Sequence, residues 1–325
     1  MDMNSRELVT KTIKGNNEGI TPVYGWVRAN LEEGITEAFG SVENFEDHYQ
    51  FDLAHLFGGP GPFNNKKFQE LKEQEIEITP DLVLDIPLTE VNHSEDYQDI
   101  VKQLNHYQKE RGRFCYVQTP GIFECLNQVF GIENHLLYLA LYPDKLAEVY
   151  KRQAEWNRDF ADNMIDLGVD MIHVSDDWGA QKSLLFSKKM WQELIYPHHK
   201  LICDRVKERD VFLSLHSDGN VSSIVDEIIE LGYDVVHPWQ ESAGMSYDTY
   251  REKYQEKLAI MGGLCVQTTI GFDNYGNLEN EIRRVFNLLK GKRWLFCTTH
   301  FVQDHCSIDE LVFAFDLAVK LARKN

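Results

Sequence analysis

Hydrophobic residues along this chain fall into two alternating kinds of segment. Short, nearly continuous apolar runs rich in β-branched and aromatic residues have the composition of strands buried on both faces of a parallel sheet. Eight such runs occur: TPVYGWV (21–27), FDLAHLFGG (51–59), RFCYVQTPG (113–121), DMIHVSDDWGAQ (170–181), VFLSLHSDGN (211–220), VVHPWQES (235–242), LAIMGGLCVQ (258–267) and WLFCTTHFVQDHC (294–306). Between them lie amphipathic stretches of helical period, such as 94–112, 133–142, 143–166, VSSIVDEIIELG (221–232) and LENEIRRVFNLLKG (278–291). The final stretch, from Ser307, carries a capping box (Ser307, Glu310) and a basic end. Eight β–α units predict a single (β/α)8 barrel domain spanning 1–325. A helix over 5–15 precedes it, and the alternation in EQEIEITPDLVLDIPLTE (73–90) predicts an inserted β-hairpin.

Polar residues cluster where the apolar runs stop, and in this architecture the C-terminal strand ends form the active-site mouth. Candidates there are Asp176 and Asp177, His216 and Asp218, His237 and Glu241, Cys265, then His300, His305 and Cys306. Adjacent carboxylates point apart, so one of Asp176 and Asp177 faces the mouth while the other caps the following helix. His300 is a candidate acid or ligand, and His216 with Asp218 contacts substrate or orients a ligand. Glu124 either bonds a substrate hydroxyl or opens the helix at 124–129, and Glu241 is a further candidate substrate contact. Trp26, Trp178 and Trp239 either wall an apolar pocket or pack the core. Cys115, Cys125 and Cys203 are expected as packing residues, and His198-His199 as an exposed helical pair.

Composition narrows the partners. With 52 acidic and 33 basic residues the net charge is −19, a surface that repels nucleic acid and anionic membranes. No apolar run approaches the roughly 20 residues of a membrane span. The N-terminal MDMNSRELVTKTIKG lacks a signal-peptide core, and a cytoplasmic protein is expected. Six scattered cysteines suit free thiols or metal ligands better than a disulfide framework.

By HSDGN (216–220), MGGLCVQ (261–267), TTHFVQDHCSIDEL (298–311), DDWGAQ (176–181) and FGIEN (130–134), the chain resembles the uroporphyrinogen decarboxylase superfamily. The resemblance implies a (β/α)8 barrel and one of two chemistries: cofactor-free decarboxylation of a tetrapyrrole, or zinc-dependent methyl transfer to or from a corrinoid or a thiol. Arg28 matches the first substrate-binding arginine of the decarboxylases. Glu32, Gly59 and Leu126 stand where a second arginine, an aspartate and a tyrosine are expected. The H-x-C zinc motif after the fifth strand is likewise altered, with Asp218 in place of the cysteine. The corrinoid O-demethylase branch instead implies zinc ligands after strands six, seven and eight, where His237, Cys265 and Cys306 lie, with His300 and His305 as alternatives to Cys306 for the third. The resemblance thus implies a zinc methyltransferase moving a methyl group from a small donor, such as an aryl methyl ether, to a corrinoid carried by a partner protein. A decarboxylase holding a carboxylate with Arg28, and a non-enzymatic tetrapyrrole-binding barrel, are the alternatives. The loops at Gly58–Pro62 and Thr119–Gly121 are expected to form the rim of the mouth.

Overall fold

The computed structural model describes residues 4–17 and 19–324. Seven of the eight apolar runs form strands: β1 (Leu53–Leu56), β2 (Phe114–Pro120), β3 (Met171–Ser175), β4 (Phe212–His216), β5 (Val235–His237), β6 (Ala259–Leu264) and β7 (Trp294–Thr298). Helical segments separate successive strands, giving an α/β fold. The chain groups into two compact units, one from 1–54, 107–115 and 234–325, the other from 55–106 and 116–233.

In the second unit, β2, β3 and β4 pair in parallel. Pro120 lies opposite Ser175, and Ser175 opposite His216. Met171, Ile172, Val174, Leu213 and Leu215 are fully buried. The 25-residue helix Pro143–Leu167 starts with proline in its first turn, where the missing N–H costs nothing, and ends at Gly168 in the left-handed region (φ 94). It packs against the helix Tyr196–Glu208, where Asp162 accepts from the Arg205 guanidinium (2.8 Å), and its other side buries Phe160 against Trp156 and Tyr97.

The expected hairpin at 73–90 is a helix instead, Pro80–Asp85. Its alternation of apolar residues is real, but Thr79-Pro80-Asp81 is a helix start. Proline fixes φ at the first helical position, and the Thr79 hydroxyl accepts the Leu82 N–H at 3.4 Å. The Arg152 guanidinium then donates to the Leu84 carbonyl at the far end (2.7 Å).

In the first unit, β5, β6 and β7 form a second parallel set. The expected first barrel strand, 21–27, contributes one parallel bridge between Val23 and Phe296. Pro22 has no N–H to give. By Trp26 the neighbouring acceptor is the Thr298 hydroxyl (2.9 Å) rather than a main-chain carbonyl, so the ladder stops after one rung. The N-terminal helix, Ser5–Ile13, forms as expected with Asn4 as its cap. Half of the capping box at Ser307 is present, because the Ser307 hydroxyl accepts the Glu310 N–H at 3.2 Å. The Glu310 carboxylate does not turn back. It is buried and accepts the N–H groups of Gly271, Phe272 and Asp273 at 3.1–3.3 Å.

Candidate active site

Register builds the second unit's site. Because Pro120, Ser175 and His216 are aligned, the residues just beyond them emerge together. The loops then bind each other: the Asp176 N–H donates to the His216 carbonyl (2.9 Å), the Trp178 N–H to the Ser217 hydroxyl (2.9 Å), and the Asp218 N–H to Asp177 Oδ1 (2.8 Å). Gly179 permits this approach, since a Cβ there would lie 2.7 Å from the backbone of Gly219 and Asn220.

Asp176 is wholly buried. Its Oδ1 accepts the Glu124 N–H at 2.6 Å; its Oδ2 accepts the Trp178 indole N–H at 2.8 Å and faces His199 Nε2 at 2.7 Å. Asp176 therefore caps the helix Phe123–Phe130, which has no cap of its own, rather than the helix that follows it in sequence. Burial alone would raise its pKa, but the hydrogen bond and charge interaction with His199, with help from Glu124 N–H and Trp178, hold it below the ordinary value. Asp177 is a third exposed, and burial moves its carboxyl up.

Glu124 accepts the Ser175 hydroxyl at 3.0 Å. Burial, then the negative charges of Asp177 and Asp176, push its pKa up to about 7. Burial and Asp177 do the same to Asp218, also to about 7. His216 Nε2 lies 3.8 Å from both Asp177 Oδ1 and Asp218 Oδ1. A cavity of about 300 Å³ opens beside Glu124. Phe57, Phe63 and Phe160 supply its apolar wall, and Gln118, Gln128, Ser175 and Cys125 its polar one. Among the described residues, Glu124 is the only charged one of the lining. Gly58, Pro60–Pro62, Pro120 and Gly121 belong to the same lining, so both loops expected at the rim border this cavity.

Several sequence expectations change here. Trp178 does not wall a pocket; it is fully buried with its indole N–H on Asp176. His199 is not exposed; it lies buried between Asp176 and the Tyr233 hydroxyl (2.8 Å). Cys125 lines the cavity, with its thiol pushed up to about 12 by burial and by Asp176 and Glu124. Three buried or half-buried histidines had drawn no attention in the sequence. His135 bridges Asn127 (2.8 Å) and the Tyr150 hydroxyl (2.7 Å), stacks on Phe123, and is lowered to about 3 by burial. His173 bonds Ser214 from inside β3, and His55 bonds Gln118 at 2.8 Å while stacking on Tyr116. All five residues of β3 are buried, and a histidine in the middle of so apolar a run could have flagged His173.

The first unit's strand ends are arranged differently. His237 Nε2 lies 3.0 Å from the Thr298 carbonyl, which only accepts, so the ring N–H sits there. Trp26 packs on His237 with ring centres 4.4 Å apart and planes tilted by 35°, and meets His300 edge-on at 5.8 Å. Burial lowers the His300 pKa. Cys265 Sγ is 3.4 Å from the Ser242 hydroxyl, in a separate cavity of about 200 Å³ bordered by Glu241, Tyr247 and Thr268. Cys306 points to the Ser307 carbonyl at 3.5 Å, and burial, Glu310 and Asp273 push its thiol up to about 12.

The expected zinc ligands do not come together. Among the described residues, the groups of His, Cys, Asp and Glu whose ligand atoms lie within 4.8 Å of one another include neither Cys265 nor Cys306. Each of the three side chains has a different neighbour, and His237, Cys265 and Cys306 do not fit one ion. Trp239 is buried and packs on Tyr250 and Tyr254 instead of walling a site. Glu241 is paired with Arg284. Arg28, the expected carboxylate binder, pairs with Glu46 (2.8 Å), Glu43 (3.4 Å) and the Tyr107 hydroxyl (2.7 Å). Glu46 is buried and draws both Arg28 and Arg113 as counter-charges.

No helix among the described residues is long and apolar enough to cross a membrane. In backbone, the protein is similar to a methyltransferase from Methanosarcina mazei, with a TM-score of 0.71 and 12% identity over 99% of this chain and 98% of that one. It is less similar to a sugar phosphate isomerase/epimerase from Parabacteroides distasonis (TM-score 0.45, 10% identity, 93% and 96% covered). At 12% identity the likeness to the methyltransferase is one of fold. No curated protein matches the sequence. Residues 93–320, more than half of the chain, match the model of the uroporphyrinogen decarboxylase (URO-D) family. The chain belongs to the uroporphyrinogen decarboxylase family.

Proposed function

We propose that this protein is a methyltransferase that takes a methyl group from a small, uncharged donor of the aryl methyl ether type and passes it to a corrinoid carried by a partner protein. The observation behind this reading is the Glu124 cavity: phenyl side chains, one titratable acid poised near 7, and no Lys or Arg in the lining. A reduced corrinoid supplies the nucleophile. The methyl–oxygen bond breaks, and the oxygen becomes a good leaving group only as it gains a proton. Glu124, half protonated near neutral pH, is suited to deliver that proton, and such a positioned acid contributes about 10²–10⁴-fold. Gln118, Ser175 and Gln128 hold the polar edge of the donor, while Phe57, Phe63 and Phe160 cover its ring and exclude water. No step is assigned to zinc on His237, Cys265 and Cys306, because those residues do not share a centre.

Decarboxylation of a porphyrinogen fits this chain poorly. A polycarboxylate in a cavity whose only charge is acidic would be an uncompensated buried anion, and Arg28 is already engaged by Glu43 and Glu46. The test supplies purified protein with chemically reduced cobalamin and a set of aryl methyl ethers, following methylated cobalamin by its absorption spectrum and the phenol by chromatography. Uroporphyrinogen is the control. Turnover of the control with no methyl transfer would replace this reading by the decarboxylase one.

A further inference from the structure

We propose that His199 and Asp176 are positioning residues: a buried imidazole–carboxylate pair that fixes the Glu124 acid in place and keeps a permanent negative charge behind it. This inference rests on the reading of Glu124 as the acid of the cavity, and it extends to two residues that touch no substrate.

The geometry runs as a chain through the second unit. The Tyr233 hydroxyl meets His199 Nδ1 at 2.8 Å, His199 Nε2 meets Asp176 Oδ2 at 2.7 Å, and Asp176 Oδ1 receives the Glu124 N–H at 2.6 Å. His199 and Asp176 are entirely buried, and Tyr233 nearly so. A carboxylate only accepts, so the hydrogen between His199 and Asp176 sits on Nε2 in either protonation state of the ring. Every oxygen of Asp176 is thus engaged by a donor: Glu124 N–H on one, His199 and the Trp178 indole on the other. A fully hydrogen-bonded carboxylate is stabilised in its charged form. Burial moves the carboxyls of neighbouring Asp177 and Asp218 up, whereas the donors around Asp176 hold it down.

Two consequences reach Glu124. Its main chain is clamped by Asp176 at the first turn of the helix Phe123–Phe130, which sets where the carboxyl can point. Its side chain then sits near a fixed anion, and like charge favours the protonated acid. The other groups around this pair are Asp177, the Cys125 thiol, His135 and the Tyr150 hydroxyl. Burial keeps Cys125 and Tyr150 protonated and His135 neutral near pH 7, leaving Asp176 and Asp177 as the charges that act.

The test reads the Glu124 carboxyl itself, by infrared spectroscopy of the whole protein titrated from pH 4 to 9, with Glu124→Gln subtracted to identify its band. Asp176→Asn retains an acceptor for the Glu124 N–H but removes the charge. The Glu124 midpoint should then move acidward by at least about one pH unit. His199→Leu, which strips Asp176 of its main donor, should give a shift of the same sign, and His199→Gln, which restores an N–H, should largely reverse it. A purely structural role predicts loss of stability with no ordered shift. An unchanged midpoint in Asp176→Asn would overturn the proposal. If that variant does not fold, the Leu and Gln variants of His199 decide, and equal midpoints in both would overturn it. The readout needs no methyl donor, so it stands apart from failure of the methyl-transfer assay.

Discussion

In the second unit the residues after β2, β3 and β4 hold one another around the Asp176 and Asp177 carboxylates, whereas in the first the residues after β5, β6 and β7 meet in neutral pairs, Gln240 with Gln267 (2.8 Å) and the Val266 N–H with the Thr299 hydroxyl (3.1 Å). Asp176 gathers Glu124, Trp178 and His199, which come from three different elements. His237 is bonded to a carbonyl, Cys265 lies near Ser242, and Cys306 faces the carbonyl of the next residue. The first arrangement shifts pKa values because carboxylates are buried beside carboxylates. In the second, among the described residues, neither thiol joins a group of potential metal ligands. Chemistry-bearing residues at strand ends are therefore necessary and not sufficient; the helices and loops packed behind them decide which ones cooperate.

The comparison breaks most visibly through stability. Asp176→Ala removes the common acceptor of three buried donors and should cost about 3–5 kcal/mol by chemical denaturation. His237→Phe, which loses one hydrogen bond and keeps ring packing on Trp26, should cost about 1 kcal/mol. Equal costs would mean that the two units are held together in the same way.

The strand runs were readable because continuous β-branched segments have few other uses, and the strands expected near 52, 114, 170, 211, 234, 258 and 294 begin within a residue or two of β1 to β7. The hairpin at 73–90 was misread because alternation was weighed above the Thr79-Pro80 start signal. Asp176, Asp177 and Asp218 were visible as strand-end acids, and Glu124 as an acid at the start of a helix. What anchors Asp176 was not, since His199 sits on a later helix, Tyr196–Glu208, and only tertiary packing brings it to the carboxylate. The cysteines misled for the converse reason: spacing along a sequence fixes which strand ends carry thiols, not which way the thiols turn.

A smaller effect is expected with pH. Burial and nearby acids raise Glu124 and Asp218 to about 7 in the folded protein, against about 4 in an unfolded chain. The native state then binds these protons more tightly, so their contribution favours folding at low pH and is lost as pH rises from about 4 through 7. Thermal midpoints measured from pH 5 to 8 should fall less steeply in Glu124→Gln/Asp218→Asn than in the unchanged protein. An identical slope would show that these carboxyls ionise in both states alike.

The smallest effects belong to the thiols. Cys265→Ala and Cys306→Ala should each alter stability by less than about 2 kcal/mol and leave the zinc content found by elemental analysis unchanged. Loss of one zinc per chain in either variant would restore a centre on the first unit.

The most direct test of the account sets the two units against each other in one assay, the rate of methyl transfer from an aryl methyl ether to reduced cobalamin. Glu124→Gln, nearly identical in shape and unable to give up a proton, should lower that rate about 10²-fold or more, while Cys265→Ala stays within a few-fold of the unchanged protein. A Glu124→Gln variant of full activity beside an inactive Cys265→Ala would contradict it.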